Sequence, residues 1–244
     1  MLLRILFPSF LVLLLCFVPL SKSFAYEELM SAKQHPFQDK LLHLPADKQL
    51  RFLIYRNGKN IGYHQLDFEE LENGSVRVNI HIDIIVKLGF IKVYDFLHKS
   101  EEIWDGNALQ SLQSRTFLNG ENARLNIRRV NDMLVLDNGE TEELLAGNLK
   151  PASYWFPGFT QELRLIDSAS GKILEMDTLY KGEDKIEDMQ GHYFVANKDI
   201  PIDILYSQDG KWLGSRYGKN RDVVYVFDEK NQVPPAHKWR KFDD

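Results

Sequence analysis

Residues 75–87 read Ser-Val-Arg-Val-Asn-Ile-His-Ile-Asp-Ile-Ile-Val-Lys. Val76, Val78, Ile80, Ile82, Ile84 and Val86 alternate with Arg77, Asn79, His81 and Asp83, the period of two that belongs to a strand with one buried and one wet face. The same grammar continues in both directions. Upstream, the apolar residues Phe52, Ile54 and Tyr55 are followed by Asn57-Gly58, then Ile61 to Phe68, then Asn73-Gly74. Downstream, Phe90 to Trp104 runs to Asp105-Gly106, Ala108 to Leu118 runs to Asn119-Gly120, and Ala123 to Asn131 leads to Met133–Asp137 and Asn138-Gly139. Six Asn-Gly or Asp-Gly pairs fall between residues 57 and 210, the last at Asp209-Gly210. Asn-Gly and Asp-Gly between apolar runs mark tight hairpins, so the chain predicts an antiparallel meander and not alternating strand–helix units.

Further strands are expected at Leu163 to Asp167, Lys172 to Tyr180, His192 to Asn197, Ile200 to Ser207, Lys211 to Tyr217 and Val223 to Asp228. Residues 140–148 read as one or two helical turns, and residues 150–158, bounded by prolines and rich in aromatics, as a crossing or capping segment. About a dozen strands with no helical half must close, or curl and be plugged, because long open edges invite aggregation. The expected fold class is therefore all-β and mainly antiparallel: a curled meander sheet or half-barrel with one or two short helices, with a second sheet layer as the alternative.

The chain has 244 residues, 44% hydrophobic and 27% charged, which excludes a disordered or collagen-like protein. Met1 to Arg4 begins with positive charge, Ile5 to Leu20 is almost wholly apolar, and Ser23 and Ala25 are the small residues of a cleavage site. This is the pattern of a secretory signal peptide; the apolar run is shorter than the roughly 20 residues a spanning helix needs. Leu13-Leu14-Leu15-Cys16 has the cysteine of a lipobox but not the small residue before it. The expected organisation is a signal peptide over residues 1–25, an N-terminal segment with a short helix over residues 26–49, one antiparallel domain over residues 50–230 and a flexible tail over residues 231–244. Cleavage after Ala25 would leave no cysteine and a net charge of about −7, a periplasmic or secreted protein without disulfides or a transmembrane anchor. The acidic balance argues against nucleic acid and anionic membrane surfaces as partners.

The strand from Phe90 to Trp104 is the richest in chemistry, since one parity carries Phe90, Lys92, Tyr94, Phe96, His98, Ser100, Glu102 and Trp104. Aromatic bodies with a few polar groups suit the concave face of a ligand-holding sheet. Candidate ligand-binding residues are Tyr94, Phe96, His98, Glu102, Trp104, Arg115, Tyr154, Trp155 and Trp212, with Glu102 meeting Arg115 or Thr116 across a hairpin. Among the adjacent aromatics Tyr154, Trp155 and Phe156, Trp155 is expected to plug the mouth of the sheet while its neighbours face outward, the alternative being that the segment is a lid over an apolar pocket. Catalytic residues are not assigned: Gly-x-Ser-x-Gly is absent, and acidic residues are too common for a carboxylate pair to mean a hydrolase. His81-x-Asp83 names two metal ligands and no third, and Gly171-Lys172 lacks the rest of a phosphate loop, so neither metal nor cofactor is expected.

The order of short motifs carries a resemblance: Arg56-Asn57-Gly58-Lys59-Asn60-Ile61-Gly62, Glu102-Ile103-Trp104-Asp105-Gly106, Thr116-Phe117-Leu118-Asn119-Gly120, Ser153-Tyr154-Trp155, Asp203-Ile204-Leu205-Tyr206 and Asp209-Gly210-Lys211-Trp212. Over residues 50–228 the chain resembles a group of exported, β-rich bacterial proteins known only as domains of unknown function. That resemblance implies a Gram-negative periplasmic location and a curled antiparallel sheet, and brings no catalytic residues. In architecture alone it is similar to half-barrel carriers of lipoproteins and lipids. Three functions are open at this stage: a non-enzymatic binding protein for an apolar or amphipathic ligand, which requires an internal pocket; an envelope interaction or assembly module with a packed interior; and an envelope glycan or lipid hydrolase, which requires His98, Glu102 and Arg115 to converge.

Overall fold

The computed structural model describes residues 35–37, 44–46, 48–234 and 238–242. The signal-peptide reading lies outside the described residues, as does most of the segment expected to hold a short helix. The hairpin signals become turns joining a long meander: β1 (Gln49–Arg56), β2 (Lys59–Glu70), β3 (Val76–Leu88), β4 (Ile91–Asp105), β5 (Ala108–Leu118), β6 (Glu121–Val130), β7 (Met133–Asp137) and β8 (Glu142–Ala146). At Asn57-Gly58 and Asn119-Gly120 both residues take positive φ, the geometry that matches a two-residue turn to the right-handed strand twist.

The chain then crosses over through β9 (Lys150–Pro151), a 3-10 turn at Pro157–Gln161, β10 (Arg164–Ile166) and β11 (Ile173–Glu175), which form a separate three-stranded sheet. It re-enters the main sheet at β12 (Leu179–Ile186) and returns through β13 (Met189–Ala196), β14 (Ile202–Tyr206), β15 (Trp212–Tyr217) and β16 (Val223–Phe227), which pairs with β1. The main sheet thus has thirteen strands in the order β12-β13-β14-β15-β16-β1-β2-β3-β4-β5-β6-β7-β8. Every pairing in it is antiparallel. It curls without closing, leaving β8 and β12 as edges, and the crossover carries the chain from one edge to the other.

The crossover also fills the curl. Leu149, Tyr154, Trp155, Phe156, Phe159, Leu165 and Ile166 are buried in one cluster with the inner residues of the sheet, among them Phe52, Leu66, Val78, Trp104, Ile127, Phe194 and Trp212. Such a plug removes the apolar inner face from water, the dominant favourable term in a chain without disulfides.

Three expectations are corrected. Residues 142–146 are strand β8, not helix: helix-prone Glu-Glu-Leu-Leu-Ala yields to pairing with β7. Tyr154 and Phe156 are buried beside Trp155 instead of facing outward; Tyr154 sits at φ 59, which takes the chain out of strand alternation. The tail is not loose where it is described. Val233 and Trp239 pack on Leu53, Tyr55 and Tyr63 on the outer face, and Arg240 binds Asp83 with Nε–Oδ1 at 2.7 Å and also Asp95.

Candidate functional site

Side chains pointing inward from neighbouring strands line up in cross-strand rows. One row runs Phe227, Phe52, His64, Ile82, His98 and Thr116, so two imidazoles lie on the same inner row with one isoleucine between them. Where this row meets the crossover there is a cavity of about 300 Å³. The sheet contributes His64, Ile82, Ile84, Tyr94, Phe96, His98, Tyr217 and Tyr225; the crossover contributes Ala152, Ser153, Tyr154, Asp167 and Ser168. Tyr94, Phe96 and His98 form a ladder along β4, with centroids 6.2 and 6.0 Å apart and planes inclined by 19° and 10°. They follow one another at i, i+2 and i+4, which puts their rings on one face of the strand.

The polar groups of this cavity are held away from charge. His98 Nδ1 lies 2.9 Å from Thr116 Oγ1 and its Nε2 3.4 Å from Ser168 Oγ. Burial pulls its pKa down to about 4, against a smaller upward pull from Asp167. His64 is held lower, at about 3, by burial and then by His98 and His81. Neither ring nitrogen of His64 has a hydrogen-bond partner. Each imidazole is therefore neutral at physiological pH and offers one donor and one acceptor nitrogen. Burial and then the Asp167 carboxylate raise the pKa of Tyr94. No lysine or arginine is among the described lining residues, and Asp167 is the one carboxylate.

Of the nine residues expected from sequence, Tyr94, Phe96, His98 and Tyr154 line this cavity. Glu102, Trp104 and Trp155 form an adjoining packed cluster, in which Glu102 Oε2 accepts from Trp104 Nε1 at 2.9 Å, Ser153 Oγ at 3.3 Å and Trp155 Nε1 at 3.5 Å. Burial, only partly offset by these donors, raises the Glu102 pKa to about 7. Trp212 is fully buried, donating to Ser215 Oγ at 2.9 Å and packed on Phe52. The expected Glu102–Arg115 pair does not form. Glu102 stands opposite Leu112, whereas Arg115 stands opposite Lys99 on the outer face, its guanidinium 4.8 Å from the Phe242 ring centroid. Thr116 goes to His98 instead.

Sequence reasoning missed His64, Asp167, Tyr217 and Tyr225. His64 left a signal: it occupies the buried parity of β2, between Gly62 and Leu66, where an unpaired polar group is costly. The others depend on the path of the crossover and left none. A larger concavity of about 850 Å³ lies over the strand surface carrying Asp67, Asn79, Lys99, Glu101 and Arg115. It is open, and its polar side chains are those of an ordinary wet sheet face. Among the described residues there is no group of three or more metal-ligating side chains, and no helix is long and apolar enough to cross a membrane.

The fold has a counterpart among solved structures. The chain is similar to the crystal structure of a beta-barrel-like protein of domain of unknown function DUF1849 from Brucella abortus, with a TM-score of 0.54, 9% identity, and coverage of 73% of this chain and 94% of that one. At that identity the likeness speaks for the architecture alone. No curated protein matches the sequence. A family model does match, over residues 52–227, from within β1 to the end of β16 and so across every strand that builds the cavity: the chain belongs to the family described as domain of unknown function DUF6134.

Proposed function

We propose that this is an exported, non-enzymatic binding protein that holds a small molecule with an apolar body between the sheet and the crossover. The observation that carries this reading is the cavity walled by His64, whose two buried ring nitrogens have no partner. Leaving such groups unsatisfied costs on the order of 1–3 kcal/mol, a cost that a ligand hydrogen bond would remove. The aromatic and aliphatic lining supplies contact area. The neutral imidazoles and the lone carboxylate of Asp167 favour a neutral or cationic polar group over an anionic one. About 300 Å³ lies at the lower end of ligand-site volumes, which points to a compact molecule and not a two-chained lipid.

The hydrolase reading loses its residues: Arg115 is on the other face, and Glu102 lies four residues from His98 along β4, about 13 Å. The binding reading is tested by native mass spectrometry of residues 26–244 prepared from periplasm, with organic extraction of bound material. A reproducible small molecule that Phe96→Ala abolishes is the expected result. A clean apo mass, with extracts matching blank, would overturn it.

A further inference from the structure

The hairpin joining β3 and β4 extends beyond its neighbours. On one side β2 pairs with β3 only as far as Gly62↔Ile84, and on the other β5 pairs with β4 only as far as Phe96↔Leu118. The next rung, Ile85↔Asp95, is still held, since Asp95 exchanges hydrogen bonds with Asn119 and pairs with Arg240; beyond it β3 and β4 pair only with each other, through Val86↔Tyr94, Lys87↔Lys92 and Leu88↔Ile91. The turn is Gly89-Phe90, with Gly89 at φ 61. From Ile85 to Leu88 this ribbon projects about 10 Å from the sheet.

Its tip gathers exposed large apolar residues: Phe90, the most exposed of the described chain at 105%, Leu88 at 73% and Ile91 at 68%, with Val93 behind them at 49%. Leu88 and Ile91 are cross-strand partners and share one face, and Phe90 crowns the turn beyond them, so the end of the ribbon is apolar while the next rung carries the lysines. One register step behind the tip, Lys87 and Lys92 stand directly opposite each other. Like charges in that arrangement are unfavourable in water, but at a bilayer surface both stems lie along apolar material while the ammonium groups reach headgroup phosphates. Lys92 also pairs with Asp95, which leaves Lys87 the freer of the two.

We propose that the β3–β4 ribbon tip inserts into the interfacial layer of a phospholipid bilayer, with Leu88, Phe90 and Ile91 among the acyl chains and the two lysines at headgroup level. Interfacial segments bury about 5–10 Å, the depth of this tip ahead of its lysine pair. The net negative charge of the chain does not oppose this, because at physiological salt charges act over about 8 Å, less than the ribbon's reach. Tyr94 belongs both to the ribbon and to the cavity lining, so an inserted tip sets the cavity beside the lipid surface.

The test is co-flotation of residues 26–244 with vesicles of phosphatidylethanolamine and phosphatidylglycerol. These residues retain the whole compact unit that begins at His35. The expected result is binding that falls about tenfold or more in Phe90→Ser/Ile91→Ser, given the apolar area removed. It should also weaken in Lys87→Glu and stay unchanged in Leu144→Ser, which alters an apolar side chain 67% exposed on β8. No flotation of the unsubstituted protein would overturn the proposal, as would equal flotation of the tip variant or tip-dependent capture of a protein without vesicle binding.

Discussion

Glu102 gives the sharpest quantitative consequence of the structure. Its carboxyl is fully buried, one oxygen takes three donors from Trp104, Ser153 and Trp155, and the other, Oε1, has no partner. Burial outweighs those donors and raises its pKa from the ordinary 4.5 to about 7. A carboxyl raised on folding favours the native state most when it is protonated. Its contribution is whole below pH 4.5 and is lost as pH rises through 7. At 1.36 kcal/mol per pH unit the loss amounts to about 3 kcal/mol. Glu102→Gln keeps the shape and an acceptor for the indoles but cannot ionise. The variant is expected to match the unsubstituted protein near pH 4.5 and to exceed it by about 3 kcal/mol at pH 8.

The comparison between the two proteins matters, because histidines tilt the background the other way. His64, His81 and His98 are lowered to about 3, 4 and 4, chiefly by burial, so the stability they carry is present above pH 6.5 and lost as pH falls toward those values. Their effect is common to both proteins and cancels in the difference. Urea unfolding followed by tryptophan fluorescence at intervals between pH 4.5 and 8 gives that difference directly. A gap that stays constant across this range, or that widens in favour of the unsubstituted protein as pH rises, would show that Glu102 is ionised in the native state and refute the argument.

Two other substitutions probe the frame. At Gly62 a Cβ would lie 2.1 Å from the carbonyl oxygen of Asp83 on the paired strand, whereas at Gly58 it would meet nothing within 4 Å. Gly62→Ala should therefore cost about 3 kcal/mol or more, and Gly58→Ala only the roughly 1 kcal/mol of left-handed strain; equal losses in urea unfolding would contradict the register. Arg240→Ala removes the cation shared by Asp83 and Asp95 and should lower stability by about 2 kcal/mol, together with earlier proteolysis of the C-terminal residues. If thermal unfolding and protease resistance were both unchanged, the tail would not be docked in solution.

Much of the architecture was legible because the turns were. Asn57-Gly58 and Asn119-Gly120 fix where strands end, and between them strict alternation reveals which parity is inside; the parity of Tyr94 to Trp104 was read correctly on that basis alone. Facing a common interior is not the same as lining a cavity, however. Tyr94, Phe96 and His98 open onto space, while Glu102 and Trp104 on the same strand face are packed. The crossover decides between them by where it lays Ser153, Trp155 and Phe156, and its non-repeating backbone leaves no period in the sequence. Arg115 was misplaced for a different reason. The turn after Asp105 pairs it with Ala108, and a bulge between Ile103 and Trp104 then sets Glu102 opposite Leu112, three residues from Arg115 and on the other parity.

The exposed ribbon shows the converse error, in which a correct strand reading conceals the unusual feature. Phe90 heads the parity that reads as a ligand-holding face, and Leu88, Ile91 and Val93 beside it are residues a buried strand would also have. Only the pairing limits of β2 and β5 put them in water, because a strand continuing past both neighbours has lost the layer that would cover it. An isolated two-stranded ribbon is marginal in water, and apolar residues exposed at its tip gain nothing there. Their exposure therefore has to be explained by a second environment, and the lysine pair set one step behind them fits the border between hydrocarbon and headgroup.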